Sequence, residues 1–282
     1  MGRTYNEERG VQFVHANGLR FGYLEQGEGP LALLFHGFPD TPHTWSDFAP
    51  RLAAAGYRVV MPFLRGYAPT QIPEQDATTE HRGRDGLGLI EALGADSAVL
   101  IGHDWGADVV YAATAIDPTK VDKLVTVAIP HPATLGFSFR GLWIARHFLY
   151  LRPRRSGVRR MAKNDFAEVR TLYERWSPTH DWPDAEFEAV KNTFSAPGSL
   201  DAACGYYRTI DPIRVPDFYE RQIPVDTLCI YGADDPGVGA GDFEIARQRF
   251  SGVYQVEQLP GGHFCHRESP DQFAERVLGF LA

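Results

Sequence analysis

Cysteine is scarce: the 282 residues contain three, Cys204, Cys229 and Cys265, odd in number and far apart. That excludes a disulfide-stapled scaffold and leads us to expect a reducing compartment, the cytoplasm. Positive charge is in deficit. Lys and Arg total 28 against 36 Asp and Glu, a net charge of −8, which disfavours nucleic acid and anionic membranes as default partners. No apolar run reaches the ~18 residues of a membrane span. The stretch Met1 to Gly10 is polar and lacks the apolar centre of a signal peptide. What is present is ordinary: 44% hydrophobic and 23% charged residues, the balance of a soluble globular protein. The length allows one large domain, or one domain with an insertion, as a monomer or homodimer.

Residues 11–29 read as a hairpin about Asn17-Gly18. Apolar runs at 30–37, 57–63, 97–102 and 121–129 read as buried strands, with helices expected at 43–55, 78–93 and 105–116. Continuous apolar strands alternating with helices point to an α/β fold, a mostly parallel sheet with helices on both faces. From residue 132 to 215 no strand is evident; helix-like segments, aromatics and an arginine-rich stretch (Arg152, Arg154, Arg155, Arg159, Arg160) take over. Strands return at 224–232 and 253–258, and Ser269-Pro270-Asp271 opens a last helix. The expected organisation is a core of 1–131 and 216–282 with a helical insertion, 132–215.

Chemistry concentrates at strand ends. Gly102-His103-Asp104-Trp105-Gly106 has the glycine spacing of a nucleophile elbow, with Asp104 where serine is commonest. A helix N-terminus favours a carboxylate there; Asp is also a good helix N-cap, the blander reading. His36-Gly37-Phe38-Pro39 ends another strand. The backbone N–H groups of Phe38 and Trp105 are candidates for an oxyanion hole, although a Gly-Phe-Pro segment is often only a turn. Gly232-Ala233-Asp234-Asp235 and Gly262-His263 follow the last two strands. Taken singly, an Asp pair suits a turn and a lone His a structural role. In order along the chain they give hole, nucleophile, acid and base, each at a carboxyl-terminal strand end, where open α/β sheets bind ligands.

With these residues in view the chain resembles the α/β-hydrolase superfamily. His36-Gly37-Phe38-Pro39, Leu64-Arg65-Gly66-Tyr67, Gly102 to Ala107 and Gly262-His263-Phe264 are similar to its epoxide hydrolase branch over essentially the whole length, with 132–215 as the helical cap. The resemblance implies a triad of Asp104, Asp235 and His263, with Asp235 preferred to Asp234 by its distance from the strand-ending glycine. Some relatives carry the acid one strand earlier, but Val127 to Pro130 holds no carboxylate. It also implies two cap side chains on the epoxide oxygen. Tyr207, in Gly205-Tyr206-Tyr207-Arg208, matches one; His147 takes the other place, with Tyr150 as the alternative.

The implied reaction needs no cofactor: a carboxylate attacks an sp3 carbon, and His263 then activates water against the resulting ester. Phe38, Trp105, Trp143, Phe148, Tyr150 and Phe264 are the expected lining of an apolar pocket for a small apolar epoxide. Haloalkane dehalogenases share the Asp-Trp pair and form the competing reading. Many of them carry Asn where this chain has Phe38, while others use a cap Trp, an option Trp143 keeps open. Fluoroacetate dehalogenases place Arg after the nucleophile to bind the substrate carboxylate; this chain has Trp105 there with Asp108 following, so the resemblance disfavours a carboxylate substrate. A non-catalytic ligand-binding protein of the same fold is the reading from another class. No phosphate-binding loop, dinucleotide motif or HExxH is present; His263, Cys265 and His266 form no convincing metal set. The arginine-rich stretch reads as a solvated helix face, or else as a contact for an anionic partner or a second copy.

Overall fold

A computed structural model describes residues 10–134, 146–211 and 214–282. The amino-terminal hairpin forms as its turn residues require. β1 (Gln12–Ala16) and β2 (Leu19–Gln26) pair antiparallel, and both turn residues have positive φ, 42° at Asn17 and 76° at Gly18, the type I′ pattern that suits strand twist. Then come β3 (Leu31–Phe35), α1 (Ala49–Ala54), β4 (Arg58–Pro62), α2 (Thr79–Ala92), β5 (Ala98–His103), α3 (Trp105–Ile116) and β6 (Val121–Val127). After a helical stretch the sheet resumes with β7 (Thr227–Gly232) and β8 (Tyr254–Leu259).

The eight strands lie in the order β1-β2-β4-β3-β5-β6-β7-β8. β2 meets β4 antiparallel, and every pairing from β4 to β8 is parallel. The chain leaves β3 toward β4 and returns to β5 on the other side. The β3/β5 boundary is therefore a switch point, where the loops after the two strands part and leave a crevice.

Both faces of the sheet are covered. On β3, Leu31, Leu33 and Phe35 belong to one apolar cluster with residues of α2 and α3; Ala32 and Leu34 belong to another. The second cluster is closed by Phe48 and Leu52 near and on α1, and by Phe273 and Val277 of the last helix, α10 (Pro270–Leu281). α2 starts where the sequence suggests. Thr78 accepts from the His81 amide while the His81 ring accepts from the Thr78 amide, a reciprocal cap.

Between β6 and β7 the described residues contain no named strand. They form α4 (Arg146–Leu151), α5 (Arg154–Trp176), α6 (Glu188–Ser195) and α7 (Ser199–Thr209). α5 is broken inside: Lys163 is extended, and Asn164, Asp165 and Phe166 have φ of 52°, 54° and 60°. This break was not foreseen from the sequence, nor was the short helix α8 (Ala240–Ala246) after β7. A final short turn, α9 (Cys265–Glu268), precedes α10. Among the described residues no helix is long and apolar enough to cross a membrane.

Candidate active site

Asp104 sits between the end of β5 and the start of α3 with φ 53° and ψ −116°. This is a sparsely populated conformation for a residue with a Cβ, and such strain persists only where the surroundings enforce it. Here they do. A Cβ on Gly102 would strike the Gly106 carbonyl, and one on Gly106 would strike the Phe35 carbonyl. α3 thus approaches β5 at Gly102 and β3 at Gly106 too closely for a side chain at either position, and the residue between them is lifted above the sheet edge. Asp104 is also the helix N-cap, but its side chain makes no cap bond; the carboxylate faces the other way.

One oxygen of that carboxylate, Oδ1, accepts the Phe38 amide at 2.8 Å. The loop carrying Phe38 is held by His36, whose Nε2 accepts from the Leu64 amide at 3.1 Å. Burial pushes the His36 pKa down to about 3, so the ring is neutral and its Nδ1–H is left to donate to the Gly37 carbonyl, 2.8 Å away. Trp105 is the first residue of α3, a position whose N–H has no intrahelical acceptor.

The other oxygen, Oδ2, lies 3.3 Å from His263 Nε2. Across the ring, Nδ1 lies 2.9 Å from Asp235 Oδ2. The remaining Asp235 oxygen accepts the Gly237 amide, while Asp234 is exposed and reached by the Thr179 hydroxyl at 3.4 Å. Burial alone would lower the His263 pKa. The carboxylates of Asp235 and Asp104 more than offset it and push the value up to about 10.

Partners unannounced by any motif fix the His263 backbone. Its amide donates to the Trp176 carbonyl at 2.9 Å, and its carbonyl lies 3.0 Å from His103 Nε2. Ser177 accepts the Phe264 amide and donates to Glu268, which also receives the Gly262 amide. Trp176 and Ser177 end α5, so the helical stretch itself registers the loop carrying His263.

Over Phe38 and Trp105 lies Tyr207 of α7, fully buried, with ring centroids 5.2 Å and 5.0 Å from theirs. Burial raises its pKa well above 10, with Asp104 adding to the rise and a hydrogen bond with the Trp105 side chain opposing it. The phenol therefore holds its proton and can donate it. His147 and Phe148 close on the same ring at 5.3 Å and 4.7 Å. Tyr150 is directed elsewhere: its hydroxyl donates to Glu168 at 2.7 Å and Arg160 lies over its ring.

Of the expected lining, Phe38, Trp105 and Phe148 surround Tyr207. Phe264 does not pack on these rings; it stacks on Tyr173 at 4.1 Å and meets His263 edge-on. Trp143 lies outside the described residues. His263, Cys265 and His266 diverge, with His266 Nε2 2.7 Å from the Thr44 hydroxyl and Cys265 buried. Among the described residues no group of three or more His, Cys, Asp or Glu could hold a metal.

Residues 30–270 match the family model described as the alpha/beta hydrolase fold. An epoxide hydrolase of Caballeronia sordidicola is 34% identical over 95% of this chain and 92% of its own length. The chain belongs to the α/β-hydrolase superfamily, in its epoxide hydrolase branch. Epoxide hydrolase A of Mycobacterium tuberculosis is 28% identical over 96% of each chain. The crystal structure of Epoxide Hydrolase A from Mycobacterium thermoresistibile superposes on this α/β hydrolase with a TM-score of 0.82. It is 26% identical, covering 96% of this chain and 97% of that one.

Proposed function

We propose that this α/β hydrolase converts lipophilic epoxides to vicinal diols through an ester on Asp104, with 132–215 acting as a cap over the core. The reading rests on one observation: the two oxygens of Asp104 have different neighbours, an amide donor at Oδ1 and His263 at Oδ2. Oδ2 attacks an epoxide carbon, the carbon–oxygen bond of the ring breaks, and Tyr207 gives the departing alkoxide its proton while His147 holds it. Oδ1 becomes the ester carbonyl oxygen, already at the Phe38 amide. His263, oriented by Asp235, takes a proton from water as the water attacks that carbonyl. The tetrahedral oxyanion forms on Oδ1 between the amides of Phe38 and Trp105. Collapse expels the diol oxygen, which takes the proton held by His263, and the second proton of the water, shed as Asp104 ionises again, returns to the Tyr207 phenolate.

The names of the relatives favour an epoxide over a haloalkane. So does Trp105, whose indole is engaged with Tyr207 rather than free to hold a halide. Three unpaired, buried cysteines support a reducing compartment, and we place the enzyme in the cytoplasm on that ground.

The test is the variant His263→Gln, which loses the base and should stall as the ester. Intact-protein mass spectrometry reads the leaving group. An epoxide loses no atoms on opening, so the protein gains the whole substrate mass; a haloalkane would add its mass less that of hydrogen halide. Rapid haloalkane labelling with no epoxide adduct would replace this reading with a dehalogenase. No adduct from either, in a folded variant that binds the ligand, would favour a non-catalytic binding protein.

A further inference from the structure

Three consecutive residues of α7 point three ways, as helical geometry requires at about 100° per residue. Tyr207 enters the site. Tyr206 and Arg208, on either side of it, both bind the loop that joins β4 to α2. The Tyr206 hydroxyl donates to the Arg65 carbonyl at 2.9 Å. Arg208 forks onto Asp76, Nε to Oδ2 at 2.7 Å and Nη2 to Oδ1 at 2.8 Å. Bidentate guanidinium–carboxylate pairs fix direction as well as distance. Asp76 also receives Arg154 of α5 at 3.0 Å. Loop and helix run close enough here that a Cβ on Gly205 would come within 2.6 Å of Asp76 Oδ1. Asp76 is 21% and Arg208 12% exposed, so the pair lies at the rim of the site, outside the aromatic cluster.

We infer that Asp76 is a positioning residue for the reaction: by clasping Arg208 it sets the rotation of α7 and so the aim of the Tyr207 hydroxyl at the oxygen leaving Asp104's target carbon. The inference rests on the proposed role of Tyr207. Beside these, the hydroxyls of Ser199 and Thr209 bond the Gly66 and Ala77 carbonyls of the same loop; of the contacts between α7 and the loop, only the Asp76 fork is made by side chains on both sides. The effect belongs to one step. Ester formation needs the Tyr207 proton; ester hydrolysis relies on His263, Asp235 and the amides of Phe38 and Trp105, none of which touches the clasp.

The experiment is single-turnover kinetics with a chromogenic lipophilic epoxide such as trans-stilbene oxide, following ester formation and decay separately in wild type, Asp76→Asn, Arg208→Gln and the double variant. A misaimed donor costs on the order of 10- to 100-fold, so we expect that loss in ester formation for each single variant. The double variant should be no worse than the poorer single, and decay of the formed ester should stay within about twofold. Asp76→Glu, which restores the carboxylate, should recover most of the rate. Ester formation within twofold of wild type in Asp76→Asn, or equal slowing of both steps, would overturn the clasp. Should Asp76→Asn fail to fold, Arg208→Lys carries the test, since it keeps the charge and loses the fork; unchanged ester formation there overturns it equally. Absence of any ester in wild type would instead remove the underlying mechanism.

Discussion

Replacing Asp104 by Asn removes the charge facing His263 while keeping the shape of the side chain, and the change in His263 is calculable. Nε2 stands 3.3 Å from Asp104 Oδ2. At an effective dielectric near 20 that separation gives ~5 kcal/mol of attraction for the imidazolium, or roughly 3–4 pKa units. The amide dipole and water replace part of this. We therefore expect the His263 pKa to fall by about 2–3 units from its value of about 10. Alkylation makes the same electrostatic change, because an ester is neutral. The two carboxylates thus favour the imidazolium in the resting protein, and the neutral ester of the proposed mechanism would weaken that preference, releasing the proton to solvent more readily when the ring is needed as a base. A titration of ring-labelled histidine by NMR measures both proteins, with intact mass confirming that residue 104 remains Asn. The linkage has a definite sign: a raised histidine pKa gives stability that is fully present below about 6.5 and lost as pH rises through about 10. The variant should lose its share earlier in pH. A His263 pKa within about half a unit of wild type in Asp104→Asn, or one near 6.5 in wild type, would refute the reasoning.

Asp235→Asn should slow ester hydrolysis by at least ~100-fold, whereas Asp234→Asn, at an exposed position, should change it less than threefold; burst kinetics on both variants measures this. Tyr207→Phe and His147→Ala should each slow ester formation more than its decay, while Tyr150→Phe, whose hydroxyl serves Glu168, should leave both steps near wild type; stopped-flow fluorescence follows the two phases. Ser177→Ala should do the reverse, slowing decay several-fold with ester formation intact, because Ser177 holds the Phe264 amide beside His263. Equal slowing of the two steps in that variant would show the Ser177 contact to be only structural.

What the sequence reveals and what it conceals divide along physical lines. The elbow is legible because its strain admits few solutions: only glycine fits at 102 and 106, so the pattern around Asp104 is forced. The hairpin is legible for the same reason at Asn17-Gly18, where both residues must have positive φ. The loops after β7 and β8 show through their glycines and their order along the chain. The supports behind His263 do not show. The Trp176 and Ser177 contacts join positions 87 apart by backbone and hydroxyl groups that any sequence offers, and a carbonyl acceptor carries no residue signature. His147 and Tyr150 lie one helical turn apart, so periodicity puts both on one face; only the partner of the Tyr150 hydroxyl, Glu168, distinguishes them. The left-handed run at Asn164, Asp165 and Phe166 is equally silent, since Phe166 has no intrinsic preference for it.

The two steps of the proposed reaction make different demands on the fold, and the contacts are distributed accordingly. Attack on the epoxide needs groups from both sides of the crevice, a carboxylate from the end of β5 and a proton from α7, so its rate depends on how the helical stretch is seated. Hydrolysis needs Asp104, His263, Asp235 and two amides, all from strand ends of one sheet, whose spacing is fixed by the parallel ladders from β3 to β8. A rigid sheet is good at the second demand and irrelevant to the first. The loop between β4 and α2 meets the first: it leaves the sheet beside the hole, where Leu64 caps His36, and then grips α7 through Arg65, Gly66 and Asp76. One segment thereby ties the amide of Phe38 and the hydroxyl of Tyr207 to a common reference. The charged fork of Arg208 on Asp76, one residue from the proposed donor, is the part of that coupling made entirely by side chains.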